Sequence, residues 1–362
     1  MLLDAVRALA GILREKVNWH RFGVLIGVGV TAIALYVLYR LLRGIEPTEV
    51  FAAIKRTEPM AVISAALFVA AGYLTLTMYD YFALRTIGRG EVPYGVAAIA
   101  GFTSYSIGHN VGFTAFSGGT VRYRIYSSTS GLTAIEVAKI CFIAGLTFWL
   151  GNMTVLGLGF IIHPEAASAV DHLPPEVNRF AGFALLALLA TYIVWVSRVP
   201  RTVGRGGWSV TLPGGSLTLL QVVIGVVDLT CCAAAMYMVM PATPEIDFIS
   251  LSVIFITATL LGFAAHTPGG IGVFDATMLI ALSHFEREEL VGALLLFRLL
   301  YYIVPFLFAL AIFAFRELVM EPRRSKAVSQ SEGGAEAAKD AQPSSPKSRG
   351  QPRPRRAPSK VA

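Results

Sequence analysis

Several ionisable side chains stand inside or beside long apolar runs, where each costs about 2.5–3.5 kcal/mol unless a partner or water compensates it. Asp228 sits mid-run in Val226-Val227-Asp228-Leu229-Thr230, and Arg298 in Leu296-Phe297-Arg298-Leu299-Leu300. Asp275 follows one Gly-rich string, and Arg122 and Arg124 follow another. Arginine grips phosphate through a planar bidentate fork, so Arg122, Arg124 and Arg298 are candidates to hold a lipid phosphate. Asp228 and Asp275 can balance those charges, receive an amine or carry a proton. Tyr105, His109, Asn110 and His266 supply further polar contacts beside the same strings. The competing reading makes Asp228 and Arg298 a structural ion pair. Asp80, Glu136 and Lys139 lie near run ends, where snorkelling to the interface accounts for them.

Placing such groups at membrane depth takes helices of roughly 20 apolar residues, enough to cross about 30 Å of hydrocarbon. The chain has 362 residues, 55% of them hydrophobic and only 15% charged, and a mean hydropathy of +0.64. Apolar runs near 22–42, 60–79, 93–115, 137–162, 180–197, 217–240, 248–266 and 291–315 predict an all-α polytopic membrane protein with about eight transmembrane helices. A ninth run, 271–283, is too short to span and predicts a half-helix. Basic residues gather at the N-terminus, at 198–205 and in the C-terminal tail, while the 163–177, 241–247 and 284–290 loops are acidic. This pattern predicts cytoplasmic N- and C-termini. The predicted organisation is a cytoplasmic segment 1–21, a transmembrane domain 22–318 with halves of about 22–165 and 178–318, and a disordered basic cytoplasmic tail 319–362.

Residues 321–362 hold ten of the 30 Lys and Arg but only four of the 23 Asp and Glu, so the net charge of +7 belongs largely to the tail. The body carries no basic stripe with interleaved aromatics, which excludes nucleic acid as a partner. Cys141, Cys231 and Cys232 match neither a disulfide framework nor a zinc pattern, and no cofactor is implied. No G-x-x-x-x-G-K-[ST] string is present, so ATP hydrolysis through that loop is excluded.

Two stretches combine helix breakers with polar residues: Ser104 to Asn110 followed by Ser117-Gly118-Gly119, and His266-Thr267-Pro268-Gly269-Gly270-Ile271-Gly272. Gly118, Gly119, Pro268, Gly269 and Gly270 are read as backbone breaks, or re-entrant segments, at membrane depth. Such backbone survives there only when buried in protein or lining a watery cavity. The two Gly pairs lie 151 residues apart, and the span starts recur at about that offset. With an odd number of crossings per half, this predicts an inverted repeat with the site at the repeat interface.

The strings Ser104-Tyr105 to Asn110, Ser117-Gly118-Gly119 with Arg122-Tyr123-Arg124 and Tyr126, Gly131-Leu132, and Pro268-Gly269-Gly270-Ile271-Gly272-Val273-Phe274-Asp275 resemble the lysylphosphatidylglycerol synthase/flippase family. The likeness is to the membrane flippase half of the multiple peptide resistance factor and to its stand-alone relatives, over roughly residues 20–318. It implies a bacterial inner-membrane protein, not an enzyme, that moves a phospholipid or related lipid between leaflets, with aminoacylated and hopanoid lipids among the cargoes. Asp275 stands where Glu is as common in the family. The residues after the last run cannot bury a core, so the resemblance carries no aminoacyl-transferase with it. A homo-oligomer is left open.

Two other classes compete. Tyr79-Asp80 with Gly272-Val273-Phe274-Asp275, or Phe116-Ser117-Gly118 with His109 or His266, suggest an intramembrane protease, yet the Gly-x-Gly-Asp and Gly-x-Ser-Gly strings are absent. A non-transporting scaffold would dock its basic tail on anionic headgroups.

Overall fold

The computed structural model describes residues 47–112, 114–205 and 208–316; the expected first span 22–42, the segment 1–21 and the tail 319–362 lie outside them. The described helices are α1 (Pro47–Arg56), α2 (Pro59–Thr86), α3 (Tyr94–Val111), α4 (Thr114–Ser130), α5 (Ala134–Ile162), α6 (Pro164–Asp171) and α7 (Pro175–Arg198). A hairpin of β1 (Thr202–Arg205) and β2 (Trp208–Thr211) follows, pairing Thr202 with Thr211 and Arg205 with Trp208. Then come α8 (Gly215–Val239), α9 (Phe248–Ala264), a 3₁₀ turn at Pro268–Gly270, α10 (Val273–Ala281) and α11 (Arg287–Arg298). A π-helical segment, Leu299–Ile303, joins α11 to α12 (Val304–Phe315).

The protein is an all-α polytopic membrane protein. Among the described residues, five continuous helical stretches are long and apolar enough to cross a bilayer: α2, α5, α7, α8 and the run Arg287–Phe315. Their lipid-type faces are plain in the exposed side chains, such as Phe180 at 74%, with Leu67 and Leu307 similarly bare. Shorter apolar helices, Phe248–Ala264 and the 268–281 stretch, accompany them.

Local chemistry sets the helix ends. Thr133 and Glu136 form a reciprocal capping box on α5, with the Thr133 backbone N–H donating to Glu136 Oε2 at 2.8 Å. Asp247 accepts from the Ser250 backbone N–H at 2.9 Å to start α9. Glu136 therefore acts as a cap, and it also meets Arg89 at 3.1 Å.

The same five-part order occurs twice along the chain: a long helix, a shorter one, a break, a second shorter helix and a long helix. In the first half these are α2, α3, a break at Gly112, α4 and α5; in the second they are α8, α9, a break over 265–272, α10 and the α11–α12 run. The first break is not where the Gly pair stands. Gly118 and Gly119 lie inside α4, and the chain turns instead at Gly112, whose φ is +81°. Gly118 serves close packing: a Cβ there would sit 2.9 Å from the Ser104 carbonyl oxygen of α3. α4 is polar in sequence, yet its Thr120 and Thr129 hydroxyls fold back on the Phe116 and Ile125 carbonyls at 2.9 and 2.8 Å, which makes the helix less polar than its composition.

α5 and α8 cross at glycines on both sides. A Cβ on Gly151 would lie 2.6 Å from the Gly225 carbonyl carbon, and one on Gly225 would lie 2.6 Å from the Thr147 oxygen. Small residues let membrane helices approach this closely, where dispersion and interhelical hydrogen bonds take over. Gln221 donates to Thr147 Oγ1 at 2.8 Å beside the crossing. Gly151→Leu should drive α5 off α8 and lower stability by about 1–3 kcal/mol. Gly95→Ala, with open space around it, should be neutral; thermal unfolding in detergent compares the two.

Candidate functional site: a buried guanidinium beside an aromatic cavity

Asp80 is fully buried in α2 and takes Arg122 of α4 through a fork: Nε lies 3.1 and 3.0 Å from its two oxygens and Nη2 lies 2.8 Å from Oδ1. Tyr126, one helical turn after Arg122, donates its hydroxyl to Asp80 Oδ2 at 2.9 Å. Asp80 is therefore not a snorkelling end-of-span residue. Its carboxylate compensates a guanidinium held away from water, and the charge-assisted fork is the strong form of such a contact.

The other edge of Arg122 is not spent. Among the described residues Nη1 has the Cys141 sulfur, at 3.9 Å, as its hydrogen-bond partner, while the guanidinium lies over the Tyr105 ring at 4.5 Å. Arg122 and Tyr105 together line a cavity of about 530 Å³, a size common for small-molecule sites. Its walls come from α3 (Tyr105, His109), α4 (Arg122), α5 (Phe148, Trp149) and the α9 end with the following turn (Phe263, His266). A second space of about 40 Å³ shares Tyr105, His109, Phe148 and Phe263 with the first and reaches Asp228.

Asp228 is 3% exposed in the middle of α8. Its partners are hydroxyls from α2: Tyr79 donates to Oδ2 at 3.0 Å and Thr75 to Oδ1 at 3.3 Å. It does not pair with Arg298. Arg298 instead forks onto Asp275, with Nε to Oδ1 at 2.8 Å and Nη2 to Oδ2 at 2.7 Å, and donates through Nη1 to the Gly269 carbonyl at 2.9 Å. Asp275 also accepts from the Gly272 backbone N–H at 3.0 Å. The Pro268–Gly270 break, with Gly269 at φ +59° and Gly270 at +66°, is thus clamped by this pair.

The expected site residues therefore separate. Tyr105, Arg122 and His266 share the large cavity, Asp228 closes the small one, and Asp275 with Arg298 holds the broken backbone. Asn110 donates to the Ser106 and Tyr302 carbonyls at 2.8 and 3.2 Å. Arg124 is exposed, two residues on from Arg122 and so on the opposite helix face. Asp80 and Asp275 each bind an arginine and not each other, which removes the paired-aspartate arrangement of a protease. Among the described residues no cluster of His, Cys, Asp or Glu is arranged to hold a metal, and all three cysteines are free.

Sequence reasoning missed Asp80 and Tyr126. The signal was present in the Tyr79-Asp80 pair, which lies inside α2 and well before its end at Thr86. It also missed the π segment, whose loosened carbonyls are met by side chains: Tyr73 donates to Tyr301 O at 3.0 Å, and Asn110 to Tyr302 O.

No family model matches the chain. An uncharacterized protein of Synechocystis is 31% identical over 263 residues, covering 72% of this chain and 81% of that protein. The inner membrane protein YbhN of Escherichia coli is 27% identical over 82% of this chain and 92% of its own length. The phosphatidylglycerol lysyltransferase of Staphylococcus aureus is 25% identical over 84% of this chain, which corresponds to 35% of that longer protein.

Asp80→Asn should strand the buried Arg122 charge and cost about 3–5 kcal/mol. The double variant Asp80→Asn with Arg122→Gln should recover much of that loss, as read from the fraction still folded after heating.

Proposed function

The chain belongs to the lysylphosphatidylglycerol synthase/flippase family, and from that premise we propose that it moves a phosphate-bearing lipid between leaflets of the bacterial inner membrane. One observation carries this reading: a guanidinium whose inner edge is fixed by Asp80 presents its outer edge to a 530 Å³ cavity at the broken helices. A headgroup crossing hydrocarbon unaided faces a barrier of many kcal/mol, because each of its polar groups loses water without gaining a partner. Arg122 Nη1 offers phosphate a donor inside the protein. Phe148, Trp149 and Phe263 offer apolar walls for the chain-proximal part of the lipid. Acyl tails would stay outside in the bilayer.

The names of the relatives support this chemistry: one is an inner membrane protein, and another acts on phosphatidylglycerol. Arg298 and Asp275 take a positioning part, fixing the Gly269-Gly270 backbone that follows Thr267 of the cavity wall. The two five-part halves are taken as copies of one unit, with the cavity formed where the first half meets the break of the second.

Gly145 lines the cavity with open space before it. Gly145→Phe should plug the path without touching the Asp80–Arg122 pair, and Asp228→Asn should also slow passage. In vesicles holding a fluorescent phospholipid, the plugged variant should lose leaflet exchange by roughly tenfold, about 1.4 kcal/mol in the barrier. Exchange at the wild-type rate in a folded Gly145→Phe protein would place the path elsewhere.

A further inference from the structure

We propose that Asp228 is a proton-binding carboxyl that couples headgroup passage to proton movement; this rests on the lipid-transport reading above. The placement of charge points to it. The guanidiniums of Arg122 and Arg298 are each taken by another aspartate, so Asp228 has hydroxyl and thiol neighbours in place of a counter-ion. A buried carboxylate without a counter-ion resolves its cost by taking a proton.

The groups facing it are consistent with that role. From α2 come Tyr79 and Thr75; from its own helix, Cys232 at 4.0 Å and the neighbouring Cys231; from the π segment, Tyr301, which accepts from the Cys232 thiol at 3.2 Å, and Tyr302. α3 contributes Tyr105 and His109 across the small space, α5 contributes Asn152, and α9 adds no titratable side chain to the lining. None of the groups facing Asp228 is an arginine or a lysine.

A route to it exists. The small space has room for about three or four waters at 10–15 Å³ each. Two buried polar atoms on its lining residues, His109 Nδ1 and Asn152 Oδ1, have no protein partner. Buried polar atoms without partners mark places where ordered water bridges. His109 also lines the large cavity, so a proton can pass from cavity water through His109 and the small space to an Asp228 oxygen. There an O–H bond forms while a water-borne O–H bond breaks, with no change in oxidation state.

The coupling follows from charge. A phosphate held at Arg122 repels an ionised Asp228 through a poorly screened interior. Once Asp228 carries a proton the repulsion disappears, so an anionic headgroup and a proton move inward together.

The test uses the full chain in nanodiscs and in vesicles of phosphatidylglycerol and phosphatidylethanolamine. Infrared difference spectra between acid and alkaline buffer should show a carboxylic C=O stretch that is missing in Asp228→Asn. In Tyr79→Phe, which keeps the carboxyl and removes one donor, the band should be displaced. In vesicles, fluorescent phosphatidylglycerol should move several-fold faster along an imposed proton gradient than against it, and Asp228→Asn should lose that response. A wild type without the band, or a band unchanged in Asp228→Asn, overturns the proton site, and equal rates under both gradients overturn the coupling. Complete absence of lipid movement would overturn the transport reading instead, with the infrared result still deciding whether Asp228 binds the proton.

Discussion

Charge compensation in a medium that cannot solvate ions governs this molecule. Arg122 and Arg298 reside among apolar helices because Asp80 and Asp275 each meet one of them with a two-point fork. The forks join different helices: α2 to α4, and α10 to the end of the next helix, α11. An ion pair in such surroundings adds little net stability over well-packed apolar groups, but breaking one side of it is costly. Its contribution is geometric. It sets where the guanidinium points, and in the case of Arg122 it leaves the free edge toward the cavity.

Around these pairs the helices solve a second problem, the satisfaction of irregular backbone. The Pro268–Gly270 turn is capped by Arg298 on the Gly269 carbonyl, and Asp275 takes the Gly272 N–H. The π segment is handled the same way by Tyr73 and Asn110. The Gly269 carbonyl and the π-segment carbonyls are thus each met by a side chain from a different helix. Gly72 of α2, where a Cβ would lie 3.8 Å from Asp228 Oδ1, lets α8 pack close enough for Asp228 to reach the α2 hydroxyls.

Much of the architecture was legible because membrane helices must be long and apolar. The runs 60–79, 137–162 and 180–197 fall inside described helices, 217–240 overruns α8 by one residue, and the short run 271–283 surrounds the nine-residue α10. α4 was hidden because hydroxyls that fold back on their own helix look polar in composition. The position of the first break was misread for a related reason: a glycine pair is ambiguous between a broken helix and a tight helix contact, and only the partner at Ser104 decides it. The individual charged residues were visible, but their partners were not. Apolar runs constrain which segments cross the bilayer and say nothing about which helix lies next to which, so Asp228 and Arg298 looked like mates when each had other neighbours.

The π segment Leu299–Ile303 has a mechanical consequence. A segment with i to i+5 hydrogen bonding shifts the angular register of everything beyond it, so α12 presents a different face than a continuous α-helix from α11 would. Two carbonyls of that segment accept single hydrogen bonds from Tyr73 and Asn110. Such a joint can act as a swivel: the Arg298 end can tilt with the broken turn it grips while the following apolar stretch stays seated in the bilayer.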